Sequence, residues 1–104
     1  MKAITVKQPW AYAIMYLGKD IENRTRHTKI RGNIAIHAGK SIDMEAYFEL
    51  KQDGYDLPPF DQLPLGQIVG TVEIVDSVED HPSKWKQEYT IGYVLKNRVS
   101  LLSG

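Results

Sequence analysis

The sequence predicts an α+β fold in which a small barrel or curled sheet of about five strands carries two short helices. Three observations favour this class. Several segments alternate apolar and polar residues as strands do, two shorter segments carry helix start and stop signals, and strands and helices do not alternate regularly along the chain. Regular alternation would instead indicate a parallel α/β sheet.

The first two elements are a strand and a short apolar helix. Residues 2–7 alternate in polarity, as in a half-buried strand. Pro9 suits the first turn of a helix, and Gly18 is placed to end it in a left-handed conformation, which predicts a helix over residues 9–17. Because this helix is apolar nearly all round, we expect it to be buried on more than one side or covered by a partner.

Two further strands and a second helix follow. Residues 21–25 return to strand-like alternation, and residues 33–38 are typical of a buried strand. Ser41 is the candidate cap of a second helix that runs to about Gln52. Apolar residues at helical spacing give that helix its inward face: Ile42, Ala46 and Leu50.

The C-terminal half contains a long loop and the strongest strand pattern. Residues 53–65 hold a glycine and three prolines and therefore predict a loop, which at this length is often functional in a small domain. Residues 67–75 alternate most clearly and predict a strand. Residues 91–95 and 99–102 predict either one bent strand or a hairpin.

The composition excludes several classes of protein. None of the 104 residues is a cysteine, which excludes disulfide scaffolds, thiolate metal sites and cysteine nucleophiles. The longest apolar run, residues 10–17, is far shorter than the roughly 20 residues that cross a bilayer. The pattern of a secretory signal is also missing. We therefore expect a single cytoplasmic domain over residues 1–104, with no membrane association, metal or other cofactor.

The net charge of zero conceals an uneven distribution. Residues 1–40 carry eight basic and two acidic residues, whereas residues 41–83 carry ten acidic residues and one basic residue. A basic block can be the footprint of a polyanionic ligand or an ordinary solvated surface. We expect the basic segment to surround a cleft and the acidic segment to face away from it.

Three common site motifs do not fit the sequence. The Gly-Lys-Ser run at residues 39–41 follows a predicted strand, but a phosphate-binding loop requires its first glycine where this chain has Ile34. The chain has no Gly-x-Ser-x-Gly elbow, so nothing indicates a serine hydrolase. The three histidines lack the paired spacing of metal ligands: His27, His37 and His81.

The junction between the first helix and the next strand gathers three charged side chains within six residues: Lys19, Glu22 and Arg24. Two cations and a carboxylate can form a neutralising network that merely holds a turn. In a cleft, the carboxylate could instead position or deprotonate water while the cations stabilise charge on a carbonyl or phosphoryl oxygen. Lys19 could serve as a base only if burial or Arg24 lowered its pKa.

An aromatic residue beside this basic segment offers a stacking surface for a nucleobase. Trp10 is the candidate, although it and the neighbouring tyrosines also fit a core role. His37, near the end of a buried strand, fits either a hydrogen-bonded core histidine or a ligand contact. The candidate nucleobase- or nucleic-acid-binding residues are Lys7, Gln8, Trp10, Arg31, His37 and Lys40.

Most of the chain resembles the ASCH domain, the activating-signal-cointegrator homology domain. The family signature is Gly-x-Lys-x-x-Glu-x-Arg, and Lys19, Glu22 and Arg24 match its charged positions. The signature glycine falls on Leu17, with Gly18 beside it. The segments that carry the resemblance are residues 2–11, 18–24, 28–32, 36–40, 65–74 and 92–95.

The resemblance implies a β-barrel similar to the PUA RNA-binding domain, with about five to six strands, two or three short helices, and a cleft lined by the signature residues. Members are associated with RNA or nucleic-acid binding, and at least one has been described as a ribonuclease. Some small bacterial members are amidohydrolases that deacylate N4-acetylcytidine. The catalytic set of those amidohydrolases resembles a lysine, a threonine three residues later and a distant glutamate. Here Lys19 fits the lysine, Glu22 stands at the threonine position, and Glu79 or Glu88 is the candidate distant glutamate.

Similar members continue past residues 92–95 to another strand, whereas this sequence stops at residues 103–104. We therefore expect the family's last strand to be missing and a barrel edge to be open, through which two copies could form a homodimer. Three functions follow, in order of preference. The first is a module that binds RNA, a nucleotide or a nucleoside in a basic cleft at Lys19, Glu22 and Arg24. The others are an amidohydrolase acting on N4-acetylcytidine-type nucleosides and a non-catalytic protein-interaction domain.

Overall fold

The computed structural model describes residues 1–101 and confirms the α+β class. Five strands and two α-helices are present in the described chain, with one short 3-10 turn in the long loop. In chain order they are β1 (Ala3–Gln8), α1 (Trp10–Tyr16), β2 (Ile21–Arg24), β3 (Gly32–Ile42), α2 (Met44–Gln52), the 3-10 turn (Phe60–Gln62), β4 (Gln67–Val78) and β5 (Ile91–Ser100).

The five strands form one curled half-barrel in the order β1-β3-β4-β5-β2. β1 and β3 run parallel, and the other neighbouring strands pair antiparallel. The edge strands of the described sheet are therefore β1 and β2. The Arg24 side chain on β2 spans the gap between them, because its Nη2 donates a hydrogen bond to the Thr5 carbonyl oxygen on β1 at 2.8 Å.

Helix α1 lies between two hydrophobic cores. Ile14 and Met15 pack into the core formed with the sheet, and Trp10 and Tyr12 pack against a second core beneath α2. The first core leaves no space for a side chain at Gly70, where an added Cβ would lie 2.3 Å from the Met15 sulfur. The expected burial of this helix on more than one side is confirmed.

A short turn at residues 17–20 joins the end of α1 to β2. Gly18 has a φ of 77°, the left-handed conformation predicted for it. The Lys19 backbone N–H then donates to the Ala13 carbonyl oxygen at 3.1 Å. This turn sends the chain directly into β2 and leaves Lys19 beside the helix that precedes it.

The predicted boundary between the third strand and the second helix is wrong. β3 continues to Ile42, so Ser41 lies in the strand, and Asp43 caps α2 by accepting a hydrogen bond from the Ala46 backbone N–H at 3.0 Å. The cause is pairing with a distant strand, because β1 keeps contact with β3 as far as the pair of Gln8 and Ile42. The buried residues of α2 are Ala46, Tyr47 and Leu50.

The last strand is one bent strand, which settles the choice between a bent strand and a hairpin for residues 91–100. The pairing of β4 with β5 shifts register twice, and Asn97 has a φ of 55°. β4 also continues three residues beyond its predicted end, to Val78. Leu102, the predicted end of the final strand, lies outside the described residues. Within residues 1–101, no helix is long and apolar enough to cross a membrane.

Candidate functional site

A cavity of about 430 Å³ opens beside α1 and the start of β2. Its far wall comes from two loops, one following α2 and one joining β4 to β5. Three aromatic residues line it: Trp10, Tyr55 and Trp85. We call this cavity the cleft.

The floor of the cleft is a buried ion pair. The Lys19 ammonium donates a hydrogen bond to Glu22 Oε1 at 3.2 Å and another to the Ile21 carbonyl oxygen. Lys19 is 5% exposed and Glu22 is 8% exposed, so both charges are largely removed from water. The ammonium also lies 5.7 Å from the centre of the Trp10 ring. The predicted network of Lys19, Glu22 and Arg24 is present, and its Lys19 and Glu22 side chains line the cleft.

Arg24 contacts the Glu22 carboxylate oxygen that Lys19 does not use. Its Nε and Nη2 both approach Glu22 Oε2, at 3.0 and 2.9 Å. Side chains at alternate positions of a strand share a face, so β2 necessarily places Glu22 and Arg24 side by side. Arg24 lies outside the lining of the cleft, where it connects Glu22 to the Thr5 carbonyl on β1. It can fix the orientation of the carboxylate from there.

Burial lowers the pKa of the Lys19 ammonium below its usual value. The loss of hydration in the cleft floor is the largest cause, and the positive charge of Arg24 acts in the same direction. The Glu22 carboxylate opposes both effects by stabilising the charged form. The pKa of Lys19 is therefore shifted in the direction that a proton-accepting role requires.

This shift predicts a pH-dependent stability. The unfolded chain keeps the Lys19 proton up to about pH 10.5, whereas the folded protein releases it earlier. The free energy of unfolding should therefore rise with pH between the lowered folded pKa and the unfolded one. Lys19→Met removes this titration, so the stability of the wild type relative to the variant should increase from neutral to alkaline pH. Urea unfolding at a series of pH values measures it, and a constant difference would contradict the prediction.

Asn23 fastens the loop between β4 and β5 to the floor. Its Nδ2 donates to the Trp85 carbonyl oxygen at 2.9 Å, and its Oδ1 accepts from the Gln87 backbone N–H and the Thr90 hydroxyl, each at 3.0 Å. All of these contacts cross more than 60 residues of sequence. The position of the Trp85 wall is therefore set by β2, the same strand that carries Glu22.

The outer wall is an aromatic pair with a lysine above it. The centres of the Tyr55 and Trp85 rings lie 5.4 Å apart. The Lys84 ammonium lies 5.2 Å from the Tyr55 ring centre and 5.6 Å from the Trp85 ring centre. Both rings line the cleft and so present part of their surface to its interior.

The cleft is of mixed charge, which corrects the expected separation of acidic and basic segments. Glu49 and Asp53 come from the acidic segment, which we expected to face away, yet both line the cleft. With Glu22 they give three carboxylates against the two ammonium groups of Lys19 and Lys84. The reason is that the C-terminal end of α2 borders the cavity, and the charge distribution along the sequence contains no information about that packing.

Two of the candidate base-binding residues have their side chains engaged elsewhere, whereas Trp10 lines the cleft. Gln8 is 1% exposed, and its amide accepts from the Tyr12 backbone N–H at 2.9 Å and donates to the Pro64 carbonyl at 3.0 Å. His37 is half-buried on β3 and shares a hydrogen bond of 3.2 Å with the Thr5 hydroxyl.

The three basic candidates lie outside the lining of the cleft. Lys7 is exposed on β1, and Lys40 is exposed on β3. Arg31 donates to the carbonyls of Thr28 and Ile30, each at 2.9 Å, and lies 3.8 Å from an Asp76 carboxylate oxygen. The structure brings Trp10 together with Lys19 and Glu22 and leaves these cations apart.

The distant glutamate implied by the amidohydrolase resemblance is also outside the cleft. Glu79 and Glu88 are both exposed and do not belong to its lining. Glu49 is the lining glutamate that sequence reasoning missed, as it missed Tyr55, Lys84 and Trp85. The sequence signal that could have indicated these walls is an aromatic residue within a polar loop, Tyr55 after α2 and Trp85 between β4 and β5. Within residues 1–101, no group of three His, Asp or Glu side chains is placed to hold a metal ion.

The family model of the ASCH domain matches residues 4–99, nearly the whole chain, and the match includes every strand residue from Ile4 to Val99. A search of curated proteins found no match.

Proposed function

Because the chain belongs to the ASCH domain family, a family generally thought to bind RNA, we propose that it binds single-stranded RNA by holding one unpaired base in the cleft. The observation that carries this proposal is that three aromatic side chains and a buried ion pair line the same cavity of about 430 Å³. Cavities of this size hold small organic ligands, and aromatic faces stack on any base.

The charge of the cleft indicates which part of the nucleotide enters. Three carboxylates against two ammonium groups make an unfavourable place for a phosphate, which carries its own negative charge. The base is the uncharged part of a nucleotide and suits the cleft better. The phosphates would then lie outside, where exposed cations of the basic segment such as Lys7 and Lys40 are available.

Binding of a short single-stranded RNA carrying a fluorophore tests this proposal. Anisotropy should report binding at low salt, and the affinity should fall about tenfold between about 50 and 200 mM salt, because a few phosphate contacts release counterions. The matching RNA duplex should bind more weakly, since its bases are paired and stacked. Absence of single-strand binding at low salt would overturn the proposal.

The lowered pKa of Lys19 favours one second candidate, an amidohydrolase acting on N4-acetylcytidine-type nucleosides. In this reaction, water adds to the acyl carbon, the carbon–nitrogen bond breaks, and the amine leaves with a proton. Lys19 would polarise the carbonyl or accept the proton from water, and Glu22 would orient the water. Arg24 would position Glu22, since it contacts that carboxylate instead of the cleft interior.

Incubation with N4-acetylcytidine decides this second candidate. Chromatography should show cytidine appearing with the wild type and not with Lys19→Ala. No cytidine from the wild type, or an equal rate with Lys19→Ala, would remove it. If neither RNA nor nucleoside raises the melting temperature, the remaining function is a non-catalytic interaction domain in which the ion pair is structural.

A further inference from the structure

We propose that the floor of the cleft reads the Watson–Crick edge of the bound base, with Lys19 donating one hydrogen bond and Glu22 Oε1 accepting the neighbouring one. This inference rests on the proposed function, because it needs a base in the cleft. It adds which edge of the base enters first and which chemical changes to the base would prevent binding.

The hydrogen-bond donor offered to the base is one N–H of the Lys19 ammonium. An ammonium carries three N–H groups. Within residues 1–101, two acceptors take hydrogen bonds from it, the Ile21 carbonyl oxygen and Glu22 Oε1. Lys19 also lines the cleft. Its third N–H is therefore available to a ligand that reaches the floor.

The acceptor comes from the unequal use of the two Glu22 oxygens. Oε2 receives a hydrogen bond from Arg24 Nε and an ion-pair contact from Arg24 Nη2, whereas Oε1 receives one hydrogen bond, from Lys19. A carboxylate oxygen can accept two hydrogen bonds. Oε1 thus keeps one acceptor position, next to a donor whose nitrogen is 3.2 Å away.

A donor beside an acceptor is the complement of a Watson–Crick edge. Each of the four bases presents an N–H next to an acceptor atom on that edge, such as N3–H beside O4 in uracil or N1–H beside O6 in guanine. The same edge is occupied when the base is paired. The floor would therefore take unpaired bases and exclude paired ones.

The alternative occupant of the floor is a phosphate oxygen held by Lys19. The Glu22 carboxylate lies against the same ammonium, and Glu49 and Asp53 line the walls, so an anion would meet negative charge on several sides. A neutral edge with both a donor and an acceptor satisfies Lys19 and Glu22 together. The geometry therefore favours a base edge over an anion.

Methylated RNA tests the inference on the wild-type protein, so no variant needs to fold. We would compare short single strands of uridine, 3-methyluridine and 5-methyluridine by fluorescence anisotropy. The methyl group at N3 removes the donor on the Watson–Crick edge, whereas the one at C5 adds the same volume away from that edge. A buried polar pair left without its partner discriminates strongly. We expect at least about a tenfold loss of affinity for 3-methyluridine and less than about a twofold change for 5-methyluridine.

The outcomes separate this inference from the proposed function. Equal affinity for the unmodified strand and the 3-methyluridine strand would overturn edge reading while leaving RNA binding intact. A similar loss for both methylated strands would also overturn it, since steric exclusion alone would then explain the result. Failure of all three strands to bind at low salt would overturn the proposed function itself.

Discussion

Glu22→Ala should lower the free energy of unfolding by about 3 kcal/mol, because it leaves the Lys19 ammonium buried without its counterion. Lys19 is 5% exposed and would keep only the Ile21 carbonyl as a protein partner among the described residues. Arg24 would lose its hydrogen bond and its ion-pair contact with Oε2, and the link that it makes between the two edge strands would weaken. For a domain of about 100 residues this corresponds to a fall of roughly 15 °C in melting temperature, measurable by calorimetry.

A matched control shows whether the loss of stability comes from the buried ion pair or from removing any glutamate. Glu73 lies in β4 and accepts a hydrogen bond from the Asn97 side chain at 2.8 Å, on the exposed side. Glu73→Ala should therefore cost less than about 1 kcal/mol. The double variant Lys19→Met with Glu22→Ala should be more stable than Glu22→Ala alone, because no unpaired buried charge remains. If the two substitutions add, the ion pair does not carry the effect.

The signature residues could be predicted from the sequence because their arrangement is local. Gly18 ends α1, and the alternation of β2 then places Glu22 and Arg24 on one face, within a few residues of Lys19. Each step depends on neighbours along the chain. The fold class was predictable for the same reason, since alternation and helix signals are properties of short segments.

The walls of the cleft could not be predicted in this way. Tyr55 and Trp85 are 30 residues apart and meet because both side chains pack against the second core beneath α2. Nothing local to either residue indicates that contact. The Asn23 contacts with the β4–β5 loop are equally distant in sequence. The same applies to the cap of α2, where pairing with β1 extends β3 and selects Asp43 over Ser41.

Trp85→Ala should weaken binding of single-stranded RNA about tenfold, the effect of losing one stacking surface worth about 1–3 kcal/mol. Trp85 forms the outer wall with Tyr55 and lines the cleft. The bond from Asn23 to this loop involves the Trp85 backbone carbonyl, so it survives the substitution. Trp85 packs against the second core alone, whereas Trp10 packs against both cores, so removing Trp10 would disturb folding more.

Phe48→Ala is the control for this result, since Phe48 is an aromatic side chain on α2 that is 60% exposed and lies outside the lining of the cleft. Its affinity for RNA should equal that of the wild type. Trp85→Phe keeps an aromatic face and should retain most of the binding. If Trp85 only stabilised the fold, Trp85→Ala would lower the free energy of unfolding and leave the affinity of the folded protein for RNA unchanged. Unchanged binding by Trp85→Ala, or an equal loss in Phe48→Ala, would place the RNA elsewhere on the protein. An affinity that follows the presence of a ring at position 85 would place a base against that wall, in the cavity that Lys19 and Glu22 also line.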